Sequence, residues 1–282
     1  MAILTLIADD YALTAGVSRG ILRLLEHGRI SGAGAMTNQS HWKGWSHAYR
    51  SFQGQRDLGL HLNLTLGKPL TAMPCFAPNG IFPPLEAIIK MAFTFNLPKE
   101  ELRDEIEAQL EAFENAVGSL PDYIDGHQHV HGLPGVRGVL LKLLKIRYAK
   151  GKKPWLRNSS DQISRIIKRG KLIHKALTVR SLTTGFGFAA SRAGFLTNDG
   201  FAGFSQFNHK NDYATDFSNY LIEPGSRHLV MCHPGEIDDE LLKLDPVVHT
   251  RPQELTFLMS EQAGEVIHNA GMTLGRLRPL SS

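Results

Sequence analysis

MAILTLIADDY (residues 1–11) runs a mostly apolar stretch, Ala2–Ala8, straight into two adjacent carboxylates, Asp9 and Asp10. A short continuous apolar run reads as a buried strand. Carboxylates side by side at its end repel one another, and a bound cation is the simplest device that offsets the repulsion. The alternative is an N-cap for the next helix. Asp10 suits that poorly, because helical spacing starts only near Val17. Neighbouring strand residues face opposite ways, so both carboxylates reach one pocket only if the chain twists at the strand end.

Working outward, Val17, Ile21, Leu24 and Leu25 fall at helical spacing ahead of Gly28, a residue suited to end a helix. RISGAGAMTN (29–38) reads as a second strand, rich in small residues. DLGLHLNLT (57–65) alternates, with Leu58, Leu60, Leu62 and Leu64 on one face and Gly59, His61 and Asn63 on the other. Five prolines mark 69–84 as loop. The spacing predicts helices over 98–118, 136–148 and 252–270, and a strand over 227–232 that ends in His233-Pro234-Gly235. Strands alternating with helices imply a parallel α/β fold, a single domain over 1–282. Neither a Gly-rich dinucleotide fingerprint nor a P-loop is present. Polar residues gather where the strands end: Asp9, Asp10, His61, Asp125, His127 and His233. Such ends build the active site of a (β/α) barrel, so a TIM-like barrel is the expected architecture.

DGHQHVH (125–131) adds the strongest chemical signal. If the strand continued through it, Asp125, His127, His129 and His131 would share one face, which makes poor core. A solvated edge is the bland reading. The metal reading has partners, because Asp10 and His61 also lie at strand ends. Two neutral imidazoles and a carboxylate leave positions open for water and substrate, the pattern of a catalytic rather than a structural ion. The helical HExxH motif is absent, so the ligands come from separate strands, and spacing does not say which of the three histidines is one. At the doubled acid, one carboxylate would bind metal and the other take a proton from water. His233 follows an apolar strand and is a further candidate. Its neighbour Cys232 would face the other way and reads as a small buried hydrophobe.

With 282 residues, 42% apolar and 21% charged, the chain has the make-up of an ordinary soluble domain with a sizeable core. No apolar run reaches the roughly 18 residues of a membrane helix. The N-terminal run lacks the basic flank of a signal peptide. Cys75 and Cys232 form no CxxC and no disulfide framework, so a reducing, cytoplasmic setting is expected. The net charge of +4 hides an asymmetry, since residues 142–180 hold thirteen Lys/Arg and a single acid, Asp161. Within an expected basic helical insertion over 150–211, Ile163, Ile166, Ile167, Ile173 and Leu177 fall near one helical face. Arg165, Lys168, Arg169, Lys171 and Lys175 fall largely elsewhere, although Gly170 weakens the pattern. One reading is a packed helix with a solvated basic face. The other is docking on an anionic membrane through 163–177, placing the protein at the inner membrane face. No nucleic-acid-binding motif accompanies the charge.

Four stretches in order, ADDY (8–11), GLHLNLTLGKPL (59–70), DGHQHVH (125–131) and MCHPG (231–235), resemble the YdjC-like carbohydrate deacetylases. That family includes the ChbG-type chitooligosaccharide deacetylases and the hopanoid-associated HpnK branch. The likeness covers most of the chain and is weakest over 150–211. The family's usual ADDFG is ADDYA here, with Ala12 in place of a glycine. The resemblance implies an irregular (β/α) barrel, often dimeric, with Asp10, His61 and His127 holding one divalent ion. Two imidazoles favour zinc, cobalt or nickel, with zinc expected, while a carboxylate and waters also admit magnesium. It makes Asp9 the general base and His233 the general acid. His129 and His131 would line the pocket, and Asp125 would orient a ligand from behind. The implied reaction removes the acetyl group from an N-acetylated amino sugar, either a chitooligosaccharide or lipid-linked N-acetylglucosamine. Hydrolysis of another amide or of a phosphate ester is the competing chemistry. A non-catalytic carbohydrate or lipid binder is the other alternative, and it would have no need of Asp9 and His233.

Overall fold

The computed structural model describes residues 2–208 and 210–278. The ends of the expected 1–282 domain, and residue 209 of the 150–211 segment, lie outside the described residues. Among the described residues one parallel sheet holds eight strands: β1 (Ala2–Tyr11), β2 (Gly32–Ala35), β3 (Asp57–Leu62), β4 (Tyr123–Gly126), β5 (Trp155–Leu156), β6 (Gly200–Ala202), β7 (Arg227–Cys232) and β8 (Met272–Leu274). The order is β5-β4-β3-β2-β1-β7-β6, with β8 against the first residues of β1. A parallel bridge between Leu156 and Thr197, and reciprocal hydrogen bonds between Asn158 and Asn198, join the two edges. The sheet therefore curls into the irregular (β/α) barrel expected, with helices covering its outer face.

Two apolar clusters follow from strand alternation. Leu4, Leu6, Ala8, Leu58, Leu60, Ile124 and Val230 point outward to the helices. Ile7, Tyr123, Trp155, Phe201, Leu229 and Met231 fill the barrel interior, where the Tyr123 and Trp155 rings stack at 4.4 Å. Gly59 makes room for them, since a β-carbon there would lie 2.3 Å from the Tyr123 ring. The interior parity continues one step toward the C-terminal mouth. Ile7 is followed at i+2 by Asp9, Gly59 by His61, Tyr123 by Asp125, Trp155 by Arg157 and Met231 by His233. An apolar layer thus supports a polar one.

Several elements differ from expectation. β1 runs on to Tyr11 rather than stopping at Ala8. β4 stops at Gly126, and His127–Gly132 form a tight turn in which Gln128 (φ +52°) and His129 (φ +62°) are left-handed. Asp125, His127, His129 and His131 therefore do not share a strand face. The closing helix is two, Arg251–Met259 and Glu261–Asn269, because Ser260 is extended between them. Helices Trp42–Arg50, Leu85–Phe93 and Tyr213–Tyr220, and strand β8, carry patterns too short to read.

Residues 150–211 supply β5 and β6 of the barrel as well as three helices. The expected amphipathic helix breaks at left-handed Gly170 into Ile163–Arg169 and Ile173–Leu182. Its faces are not apolar-in and basic-out: Ile163 and Ile167 are exposed while Arg169 is buried. Arg165 and Arg169 pair with Asp161, Lys168 with Glu223, and Lys171 with Asp216. These basic side chains pair with acids of the same chain, which lends no support to membrane docking through 163–177. No helix among the described residues is long and apolar enough to cross a membrane.

Candidate metal centre

Asp9 enters the barrel mouth by strand parity, but Asp10 should point away. It does not, because Asp10 adopts φ +70° and the β1–β2 register shifts between Ala8 and Tyr11. A left-handed non-glycine residue costs on the order of 1 kcal/mol or more, a strain that marks functional sites. Both carboxylates consequently face one cavity of about 380 Å³ at the C-terminal ends of the strands.

Three side chains converge there. His127 Nδ1 lies 3.0 Å and His61 Nε2 3.4 Å from Asp10 Oδ1. Asp10, His61 and His127 each offer one donor atom, all within 4.8 Å of one another. His61 and Asp125 are register partners on β3 and β4, which sets His61 Nδ1 2.6 Å from Asp125 Oδ1. With Nδ1–H donated to that carboxylate, Nε2 is the ring atom that faces Asp10, the arrangement that orients an imidazole for a metal once Nε2 has lost its proton. Four carboxylates, Asp9, Asp10, Asp125 and Asp245, face two guanidiniums, Arg157 and Arg251, which leaves two negative charges over. His61 responds to this field. Burial alone would lower its pKa, but Asp125 and Asp9 outweigh it and raise it to about 10. The donor set and the charge surplus both fit a divalent cation.

Asp9 is held differently. Arg157, fully buried two residues beyond β5's first residue, grips both its oxygens at 2.6 and 2.7 Å. Burial pushes the Asp9 carboxyl up, yet Arg157, His61 and His233 prevail and hold it at about 2. Arg251 donates to the outer oxygen of Asp10 at 2.7 Å and to Asp245 at the same distance. Burial opposes ionisation of Asp10, but Arg251 and His127 keep its pKa well below the usual carboxylate range.

Because Ala8 and Cys232 are register partners, the next residues, Asp9 and His233, meet across the mouth. His233 Nε2 lies 3.9 Å from Asp9 Oδ2, while its Nδ1 is buried without a hydrogen-bond partner. Burial lowers the His233 pKa against the pull of Asp10 and Asp9. Phe207 packs edge-on against its ring, and Glu254 Oε2 accepts its backbone N–H at 2.6 Å. Cys232 points outward, its thiol toward the carbonyl of Ile7.

His129 lines the cavity between Phe201 and Phe204, and burial with nearby Arg157 keeps its pKa well below the usual histidine value. His131 lies outside the cavity lining; its Nε2 is 2.8 Å from the carbonyl of Arg157 and its ring abuts Phe186. Asp125 lies behind His61, fully buried. Arg157, Arg251, Asp245 and Glu254 were not legible in the sequence. Strand parity would mark Arg157 as inward-facing, but β5 is too short to be read as a strand. The other three lie far along the chain, in a loop and a helix with no local signal.

The fold and site define a parallel (β/α) barrel whose strand ends gather a carboxylate–imidazole centre beside a second, arginine-held carboxylate. The model of the YdjC-like protein family matches residues 3–269, and the chain belongs to that family. Over 270 residues, 95% of each chain, it is 28% identical to a chitooligosaccharide deacetylase of Citrobacter koseri. Over 126 residues, 44% of this chain and 48% of the other, it is 36% identical to a chitooligosaccharide deacetylase of Proteus mirabilis. The solved structure of a proposed cellobiose-phosphate cleavage protein of Enterococcus faecalis V583 superposes with a TM-score of 0.71 at 25% identity, covering 98% of this chain and 97% of that one.

Proposed function

We propose that this protein is a metal-dependent hydrolase that removes the acetyl group from an N-acetylated amino sugar. The observation that carries the reading is the pairing of two centres in one cavity: Asp10, His61 and His127 as donors, with Asp9 and His233 3.9 Å apart beside them. The relatives named chitooligosaccharide deacetylases support the substrate class. Asp10, His61 and His127 would hold the ion, zinc by preference. When bound, it supplies Lewis acidity toward the acetyl carbonyl oxygen and makes water more acidic. Asp9 stays ionised and is the proton acceptor for the attacking water as the new C–O bond forms. His233 is the donor to the departing amine nitrogen as the C–N bond breaks. Arg157 holds Asp9 in place and Asp125 holds His61. His129, kept neutral between two phenylalanines, contacts the substrate.

The cavity wall favours one substrate form within this class. Leu66, Leu85, Leu133, Val179, Leu182 and Val247 line it, together with the polar side chains of Thr65, Gln128, Lys175 and Thr183. A free chitooligosaccharide would meet the polar side chains, whereas an apolar group attached to the sugar would in addition bury against the leucines and valines. Lipid-linked N-acetylglucosamine is therefore the favoured substrate. The test is acetate release by protein stripped of metal and reloaded with zinc, cobalt or magnesium, given free chitobiose-type sugars or lipid-linked N-acetylglucosamine. Metal-dependent acetate release that disappears in Asp9→Asn is expected. Release of phosphate from a phosphate ester, or sugar binding without turnover, would replace this reading.

A further inference from the structure

Helix Arg251–Met259 touches both halves of the site through its first turn. Arg251 and Glu254 lie at i and i+3, on one helical face, and both are buried. Arg251 reaches the outer oxygen of Asp10, on the metal side. Glu254 accepts the backbone N–H of His233, on the acid side. The backbone makes a further link, the Gly235 N–H donating to the Arg251 carbonyl at 3.3 Å. The chain leaves β7 at His233, loops out through Asp245, and returns to dock beneath the residue it left.

A buried carboxyl is costly unless it is used. Glu254 is 1% exposed, with buried Cys232 nearby and Arg251, Tyr213 and Tyr220 as its charged and polar neighbours. An apolar residue of similar size would avoid burying the carboxyl but would leave the His233 amide without this acceptor and take the carboxyl away from the Tyr213 hydroxyl. What the carboxyl adds is an acceptor at 2.6 Å for an amide that lies beyond the end of β7, where no strand partner is in register to receive it. The imidazole of His233 makes no hydrogen bond through Nδ1, so its aim toward Asp9 is set by its backbone and by Phe207.

We propose that Glu254 is a positioning residue for His233: by accepting the His233 amide it fixes the imidazole at its working distance from Asp9. The requirement is for an acceptor oxygen, not a charge. Burial raises the Glu254 pKa to about 7 against the His233 amide and Arg251, and a neutral carboxyl still presents its carbonyl oxygen. This rests on the proposed role of His233 as general acid, so the experiment reads the geometry and the turnover separately.

Glu254→Gln keeps an acceptor oxygen and Glu254→Leu removes it. In the metal-loaded protein, the backbone amide of His233 is followed by 1H–15N NMR and by hydrogen exchange, and acetate release is measured across pH. Glu254→Gln is expected to preserve the His233 amide shift and protection, with kcat within about threefold of the parent. Glu254→Leu is expected to move that amide and to expose it to exchange. It should lower kcat by about tenfold to a hundredfold, as misplacement of a reacting group does, with KM and metal content unchanged. Unchanged kcat in Glu254→Leu would overturn the proposal. So would an equal loss in Glu254→Gln, which would assign the effect to charge, or a loss accompanied by metal depletion, which would assign it to general structure. If the parent releases no acetate from any substrate, the deacetylase reading fails. The amide measurements then decide the positioning claim alone, and an unmoved His233 amide in Glu254→Leu sinks it.

Discussion

Asp125→Asn is expected to weaken zinc binding by about 10- to 100-fold, the usual effect of removing a carboxylate behind a metal-bound histidine. Asp125 is fully buried, accepts from His61 Nδ1 at 2.6 Å, and sits 2.5 Å from an Arg157 nitrogen. Asparagine has the same shape but lacks the charge and turns one oxygen into a donor. Facing Arg157, that donor meets a donor; flipped, it meets the N–H of His61. Either orientation leaves a buried donor unmet, at about 1–3 kcal/mol. The local surplus of negative charge also falls from two to one. The expected weakening corresponds to about 1.4–2.7 kcal/mol of binding free energy, so the two approaches agree in size. The assay is competition between the stripped protein and a chelating dye, with circular dichroism to verify folding. Asp161→Asn is the control, a carboxylate equally buried but paired with Arg165 and Arg169 away from the centre. A folded Asp125→Asn protein with a zinc Kd within twofold of the parent would refute the reasoning.

Arg157→Met leaves Asp9 and Asp125 buried without their counter-charge, and urea unfolding should show a loss of about 3–5 kcal/mol; a loss under 1 kcal/mol would show that the pair is compensated elsewhere. His228 lies at the far end of β7, with Nε2 2.8 Å from the Tyr220 carbonyl. Burial and nearby Arg169 lower its pKa from 6.5 to about 4. The unfolded chain therefore binds a proton here that the folded one refuses. The stabilisation from this site is complete above pH 6.5 and is lost as pH falls toward 4, by about 2 kcal/mol at about pH 5. His228→Gln should flatten that slope, although His131, also lowered to about 4, will keep part of it. Lys168 and Lys171 pair with Glu223 and Asp216, so flotation with anionic vesicles at about 0.15 M salt should give the same result for Lys168→Gln/Lys171→Gln as for the parent. Vesicle binding by the parent that is lost in the double variant would support the membrane reading of 163–177.

The legible part of the fold was the part with repetition. β3 and β7 show clean apolar signals, and the helix over 99–117 shows a regular stripe closed by left-handed Gly118. A two-residue strand such as β5 has no period, so Arg157 could not be separated from the other bases around it. The alternation that seemed to align Asp125 with three histidines assumed a strand that ends at Gly126. Local backbone geometry, left-handed at Gln128 and His129, sends His129 to the cavity and His131 to the carbonyl of Arg157.

The sequence by itself determined which chemistry was available: two adjacent carboxylates after a buried strand, histidines at the ends of others, and an α/β alternation that brings strand ends together. Those features depend on residue type and on short-range period, which a linear chain displays. Only the tertiary structure decided how that chemistry is divided. Register between β1 and β7 sets Asp9 against His233, and register between β3 and β4 sets Asp125 behind His61. The positive φ at Asp10 turns a second carboxylate into the same cavity. Two arginines, 148 and 241 residues away, then divide this pair of carboxylates, Arg157 taking Asp9 and Arg251 taking Asp10. Residues so distant in sequence meet only because the sheet curls, and no local pattern encodes which charge will answer which.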